Sequence, residues 1–298
     1  MAVDDFNLLE LEHKEIFDRY FLQDLPQTSE LSFTNPFIWR HRFDPVWIER
    51  KECLLVVLKQ DGNSAFGLPP IGSGDKRKAL DILFEELGEF TSDPKVCRVG
   101  EAFVKKWVDD ARYDVLFDRD NSDYVYHTQD LISLTGKKYH RKKNHLNRFL
   151  KTCRFEYRQM DIGLVECFLD MQEKWCEIKE CVNNQELLSE DYAVYEALIH
   201  FEDLDYNGAA IEIDSRVEAF SLGEALNPTT AVIHIEKANP DIPDLYVAMN
   251  QLFCRNAWSG MEFINREQDL GIEGLRKAKE SYYPHHMENK YILVPKKK

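Results

Sequence analysis

The sequence predicts an α/β protein of two domains, each built on a mixed sheet. Three observations carry this. Short β-branched runs alternate with amphipathic helical segments along the whole chain. The 298 residues exceed the ~100–200 of a single domain. Apolar residues make up 44% and aromatic residues 12%, enough for more than one core.

The elements follow in order. Residues 4–21 read as a helix, with Phe6, Leu9, Phe17, Tyr20 and Phe21 at helical spacing. The aromatic stretch after it is broken by Pro36 and Pro45. ECLLVVLK (52–59) is a buried strand, and AFGLPPIGSGD feeds a helix at 75–89. KVCRVGEAF gives a second strand and turn, and VYHTQDLISL (125–134) a third strand. Helices are expected at 160–180 and 186–204, followed by strands in GAAIEID, VEAFSLGEAL and TTAVIHIEKA. A helix at 244–258, a strand in MEFINREQ, a helix at 271–283 and a strand in YILVPK complete the chain. The domain boundary falls near 135, and the two halves share no visible repeat.

Charge narrows the function. Lys and Arg number 38 against 53 Asp and Glu, a formal net charge of -15. Extensive nucleic-acid binding needs clustered cations to displace counterions, so only a local basic site fits. Seven scattered cysteines, with no C-x-x-C pair, point to reduced thiols in a cytoplasm. The acidic start MAVDDFNLLELEHKE lacks the basic start and apolar run of a signal peptide. No apolar run approaches the ~18 residues of a membrane span. The expected protein is soluble and cytoplasmic.

One block departs from this acidity. KKYHRKKNHLNRFLK (137–151) holds seven Lys or Arg, two His and no acid. On a helix, Tyr139, Leu146, Phe149 and Leu150 share one stripe. Lys137, Arg141, Asn144, Arg148 and Lys151 share the opposite one, and Lys142 and Lys143 flank the apolar stripe. Like charges at i,i+4 repel by a few tenths of a kcal/mol per pair, so something offsets them. One reading packs the block against the acidic residues 159–224, which carry three basic groups and seventeen acids. The other makes it an anion site, with Arg141 and Arg148 suited to bidentate phosphate contact.

A second stretch, MEFINREQDLGIEGLRKAKESYYP (261–284), ends a strand in the polar cluster Asn265, Arg266, Glu267, Gln268 and Asp269 before a helix near Gly271. Asp269 is a plausible N-cap. Ligands in open α/β sheets gather at carboxyl ends of strands, and this is one.

GKKYHRKKNHLNRF, INREQDLGIEGLRKAKESYYP, SFTNPFIWR and FGLPPIGSGD together resemble the DUF2156 group. These are soluble bacterial proteins related to the C-terminal catalytic domain of phosphatidylglycerol lysyltransferase. The resemblance covers nearly the whole chain and implies two acetyltransferase-like (GNAT) domains in tandem, at 1–135 and 136–298. It also implies an acyl- or aminoacyltransferase acting on a hydroxyl or amine, with aminoacyl-tRNA as first candidate donor. The alternatives are an acetyl-CoA-dependent N-acetyltransferase and a non-catalytic anion-binding protein. Against acetyl-CoA, TTAVIHIEKANPDIPDLYVAMNQ has no glycine turn to hold a pyrophosphate, and Pro240 and Pro243 remove backbone donors.

Acyl transfer needs a proton acceptor, oxyanion donors and orientation. Sequence position makes Glu236, Glu267 and Asp269 the candidate catalytic carboxylates. Lys137, Arg141, Arg148, Asn265, Arg276 and Lys279 are the candidate substrate or anion contacts. The expected partners are a phosphate-containing substrate or tRNA acceptor end, and peripheral contact with a membrane. The adjoining His285 and His286 suggest no metal site.

Overall fold

The computed structural model describes residues 5–60 and 64–296. The first residue of the expected helix 4–21, the first four residues of the acidic start and the last two lysines lie outside that range. The chain divides into two compact units. One comprises Met1–Asp123, Gln268–Ile272 and Met287–Lys298, the other Tyr124–Glu267 and Glu273–His286.

The first unit opens with β1 (Asn7–Leu8), α1 (Lys14–Asp24), α2 (Thr34–Ile38), α3 (Arg40–Phe43), β2 (Val46–Arg50) and β3 (Cys53–Gln60). It continues with β4 (Ser64–Gly67), β5 (Ile71–Gly72), α4 (Lys76–Phe90), β6 (Val96–Gly100), α5 (Glu101–Trp107) and β7 (Tyr113–Phe117). The expected first helix starts only at Lys14, because Asn7 and Leu8 pair with Trp47 and Val46 as a strand. Asp75 caps α4, its Oδ1 accepting from the backbone of Arg77 (3.1 Å) and Lys78 (3.3 Å). Leu80, Leu83 and Leu87 on one face of α4 then pack with Leu55 and Val57 of β3.

The second unit contains β8 (Asp123–His127), α6 (Thr128–Ser133), α7 (His140–Thr152), β9 (Glu156–Gln159), α8 (Val165–Lys179) and α9 (Gln185–Ile199). It continues with β10 (Asn207–Ile213), β11 (Arg216–Asn227), β12 (Thr230–Ala238), α10 (Leu245–Ala257), β13 (Phe263–Asn265), α11 (Glu273–Glu280) and β14 (His286–Glu288). Its sheet runs β14-β8-β13-β12-β11-β10-β9, with β12 and β13 parallel. Phe168 of α8 stacks on Phe220 of β11 at 5.0 Å, and Met249 and Phe253 of α10 are fully buried.

The last strand, β15 (Lys290–Pro295), returns to the first unit and lies between β6 and β7. The sheet order there is β1-β2-β3-β4-β6-β15-β7, with β5 on β3 and β4 parallel to β6. The observed division therefore differs from a single cut at 135/136. Strand period shows that a segment is a strand, but not which sheet it joins.

Three expectations are corrected. The strand expected at 125–134 stops at His127, and Thr128 starts α6, which buries Leu131. Leu150 is 45% exposed, so the buried stripe of the basic block is Tyr139, Leu146 and Phe149. Cys176 and Cys181 form a disulfide rather than two free thiols. Glu180 ends α8 in a left-handed conformation (φ 53°), and the turn brings the two Cα atoms to 5.0 Å, within bridging range. Among the described residues, no helix is long and apolar enough to cross a membrane.

Candidate functional site

The candidate site lies in the second unit, where β12 and β13 part. They pair only from Thr230 to Val232, against Phe263 to Asn265. Beyond that register the strands carry polar side chains that meet each other. Arg266 donates from Nη2 to Glu236 Oε1 at 2.8 Å, and His234 from Nδ1 to Glu267 Oε1 at 2.8 Å.

A β-bulge aims His234. Leu222 pairs with Ile235 and Gly223 with Ile233, so His234 is the extra residue. A Cβ on Gly223 would lie 2.5 Å from the Val232 carbonyl oxygen, so this crossing requires glycine. His234 then spans two carboxylates, donating from Nε2 to Glu224 Oε1 at 2.9 Å as well. Burial alone would lower its pKa, but the two carboxylate hydrogen bonds prevail and raise it to about 10. It is an imidazolium at neutral pH and cannot serve as a base there.

Glu236 is bound from two sides. Oε1 accepts from Arg266, and Oε2 accepts from Asn250 Nδ2 of α10 at 3.0 Å. Each partner has an atom to spare: Arg266 Nη1 and Asn250 Oδ1 are buried without a hydrogen-bond partner among the described residues. An orphan donor and an orphan acceptor thus flank one carboxylate. Such groups cost about 1–3 kcal/mol each when left unpaired, so they call for a ligand or water. Aromatic rings enclose the guanidinium, whose carbon lies 4.9 Å from the Tyr282 centroid and 5.8 Å from that of Tyr126. Burial opposes its charge, yet Glu236 holds its pKa above the usual arginine value. Lys142 of α7 sets Nζ 3.9 Å from the same Tyr282 centroid.

The sequence-derived residues divide as follows. Glu236, Asn265, Glu267 and Lys279 come together: Asn265 Oδ1 accepts from the Glu267 backbone at 2.8 Å, and Lys279 Nζ donates to the Arg266 carbonyl. Asp269 belongs to the first unit, where it is fully buried, pairs with Arg119 at 3.1 Å and accepts from the Gly271 backbone at 2.9 Å. Arg276 lies on α11, partly buried. Lys137 is exposed, with no ion pair among the described residues.

The basic helix is neutralised only in part, and not by the acidic helices. Arg148 grips Asp244 through Nε (2.5 Å) and Nη2 (2.7 Å), and His145 Nδ1 lies 2.7 Å from the same carboxylate. Lys138 pairs with Asp130 at 3.5 Å. Arg141 is exposed and, among the described residues, hydrogen-bonds only His145, at 3.4 Å. Asp244 immediately precedes α10, and its guanidinium partner keeps it ionised, with the pKa lowered. A fixed carboxylate at that helix start, next to Pro243, opposes a pyrophosphate there.

Sequence reasoning did not select Arg266, Asn250, Tyr126, Tyr282 or Lys142. The available signals were Arg266 in the polar cluster at a strand end and Lys142 at the margin of an apolar stripe, where a cation meets a packed surface. Clefts of about 420 and 530 Å³ open in the first unit. Their charges are largely paired internally, as where Arg112 and Tyr113 bind Asp81 (2.8 Å each) and Lys95 binds Asp93 (2.5 Å). Among the described residues, no group of three or more His, Cys, Asp or Glu could hold a metal ion.

The family described as "Phosphatidylglycerol lysyltransferase, C-terminal" matches residues 23–294. The chain belongs to that family. A conserved protein of unknown function from Bacteroides thetaiotaomicron is 30% identical, with a TM-score of 0.91 over 98% of this chain and 99% of that one. The structure of L-PGS from Bacillus licheniformis is 13% identical, with a TM-score of 0.69 over 98% of this chain and 94% of that one. An uncharacterized protein of Mycoplasmoides gallisepticum is 24% identical over 195 residues, 63% of this chain and 61% of that protein. The match thus spans about three fifths of that relative. The fold is the mixed α/β one expected, built on two mixed sheets, and FemX, 8% identical, shares it with a TM-score of 0.63 over 97% of each chain. Within it, the parted strands β12 and β13 carry the incompletely paired Glu236 cluster.

Proposed function

We propose that this chain is an aminoacyltransferase, moving an activated aminoacyl group from aminoacyl-tRNA to a hydroxyl or amine acceptor. The observation that carries the reading is the pair of unpartnered buried atoms, Arg266 Nη1 and Asn250 Oδ1, both positioned by Glu236. Family membership supplies the reaction class.

In the proposed step, the acceptor oxygen or nitrogen attacks the ester carbonyl. The new bond forms as the ester C–O bond breaks, and the acceptor's proton ends on the departing oxygen. Arg266 Nη1 is a donor for the oxyanion, and Asn250 Oδ1 an acceptor for the aminoacyl ammonium or the attacking N–H or O–H. Glu236, already bound by Arg266 and Asn250, orients these two groups rather than serving as base. Glu267 and His234 brace the adjoining turn. The -15 charge fits contact with the acceptor end of a tRNA rather than its whole body.

The test is incubation with charged tRNAs, a bacterial lipid extract and small amines, read by mass spectrometry of the products. Arg266→Gln and Asn250→Leu are expected to lower transfer at least 100-fold, about 2.7 kcal/mol of barrier, with circular dichroism unchanged. Transfer at the wild-type rate in both variants would remove the cluster from the mechanism. No transfer from any charged tRNA would overturn the reading itself.

A further inference from the structure

Lys142 differs from its neighbours Lys138, Lys143 and Arg148. Lys138 pairs with Asp130, Lys143 donates to the Ser133 carbonyl at 3.4 Å, and Arg148 holds Asp244. Lys142 Nζ has no hydrogen bond or ion pair among the described residues; it rests on the Tyr282 ring at 3.9 Å. The nearby carboxylate, Glu236, is already taken by Arg266 and Asn250. A second cation therefore shares one aromatic ring with Arg266 and lacks a counter-charge of its own.

Such an amine gives up its proton readily. Partial burial, the Arg266 charge and, more weakly, Arg141 on its own helix lower its pKa to about 8, while Glu236 pulls the other way. The lone pair is then available at mildly alkaline pH. Next to it, Arg266 Nη1 is a charged donor with nothing to bind. A nucleophile beside an anion-seeking guanidinium matches one reagent class: an acyl group carried on phosphate.

We propose that Lys142 is a site of Nε-acylation by acyl phosphates. The Nζ lone pair attacks the acyl carbon and forms the C–N bond. The C–O bond to phosphate breaks, and phosphate leaves with the electron pair. The amine's proton passes to phosphate or solvent. The resulting amide is neutral and bulkier, so the cluster loses a cation and gains an acyl chain over Tyr282. The modification itself does not rest on the transfer reading.

The experiment treats the full chain with acetyl phosphate from pH 7 to 9 and follows each lysine by peptide mass spectrometry. At pH 8 about half of the Lys142 amines are uncharged, against about 0.4% for an ordinary lysine. Allowing for partial burial and weaker basicity, Lys142 should acetylate about tenfold faster than exposed Lys137 and Lys151. Its rate should level off above pH 8 while theirs keep rising. Inorganic phosphate in millimolar excess should protect Lys142 alone, and Arg266→Gln should erase its advantage. Labelling of Lys142 no faster than Lys137 at pH 8, in the wild-type chain, overturns the proposal. Equal protection of all lysines by phosphate overturns the part assigned to Arg266.

Discussion

Replacing His234 with glutamine removes the cation that separates Glu224 from Glu267. The consequence depends on pH in a calculable way. The imidazole ordinarily titrates at 6.5, and in the folded chain at about 10. Between those values the folded state holds a proton that the unfolded state has lost. Stability from His234 is therefore complete below pH 6.5 and declines as pH rises towards 10, by about 1.4 kcal/mol per pH unit. Lys142 acts in the opposite sense. Its folded pKa is depressed from 10.5 to about 8, so stability returns as pH climbs between those values. The wild-type curve alone would thus look flat above pH 8. The difference between wild type and His234→Gln isolates the histidine. Urea unfolding at pH 7, 8 and 9 should show that difference shrinking by roughly 3 kcal/mol over the two units. At pH 7 the variant should be weaker by about 3–5 kcal/mol, since two part-buried carboxylates then lose the cation between them. Parallel stability curves from pH 7 to 9, or an imidazole that titrates near 6.5 by NMR, would refute the account.

Other expectations concern the rest of the chain. Lys290 is fully buried, with Nζ 2.6 Å from both Glu30 and Asp123, so Lys290→Met should cost about 3–5 kcal/mol in thermal unfolding. Adding Glu30→Gln and Asp123→Asn should recover much of it, and no recovery would count against an uncompensated-charge penalty. Burial first, and then Asp123, raise the Glu288 carboxyl to about 7, although Lys290 opposes this. The folded chain keeps that proton, so stability falls as pH rises from 4.5 to about 7, and the loss is constant above that. Glu288→Gln should raise the melting temperature at pH 8 and leave it unchanged at pH 4, worth on the order of 1–3 kcal/mol. Reducing Cys176–Cys181 with a dithiol should lower stability by about 2 kcal/mol, as closing a short loop predicts, and Cys176→Ser should abolish the response.

Much of the architecture could be read from local pattern. The strands β10, β11 and β12 announce themselves by alternating apolar residues between tight turns, and Asp75 marks the start of α4. What escaped depends on partners distant in sequence. The chain from Thr128 has β-like composition, yet burial of Leu131 favours a helix. Nothing near Cys176 signals that Glu180 will reverse the chain. At the candidate site, Glu236 and Glu267 were visible as carboxylates at strand ends, but the bulge that aims His234 is a register effect. The Lys142 ring partner lies at Tyr282, far along the chain, so periodicity could report only that the lysine borders a packed face. Arg148 looked open to a ligand because Asp244, which holds it, sits on another helix start.

The strand β15 lies inside the first sheet, between β6 and β7, yet it is translated after the whole second unit. Nascent chains usually finish their leading domain first. Here the order is reversed: β6 and β7 wait with open edges while the later-made unit can already close. An unpaired strand edge is a template for association with other chains. Ribosome stalling just before Lys290 would strand the leading half in that state, without the ammonium that Glu30 and Asp123 require.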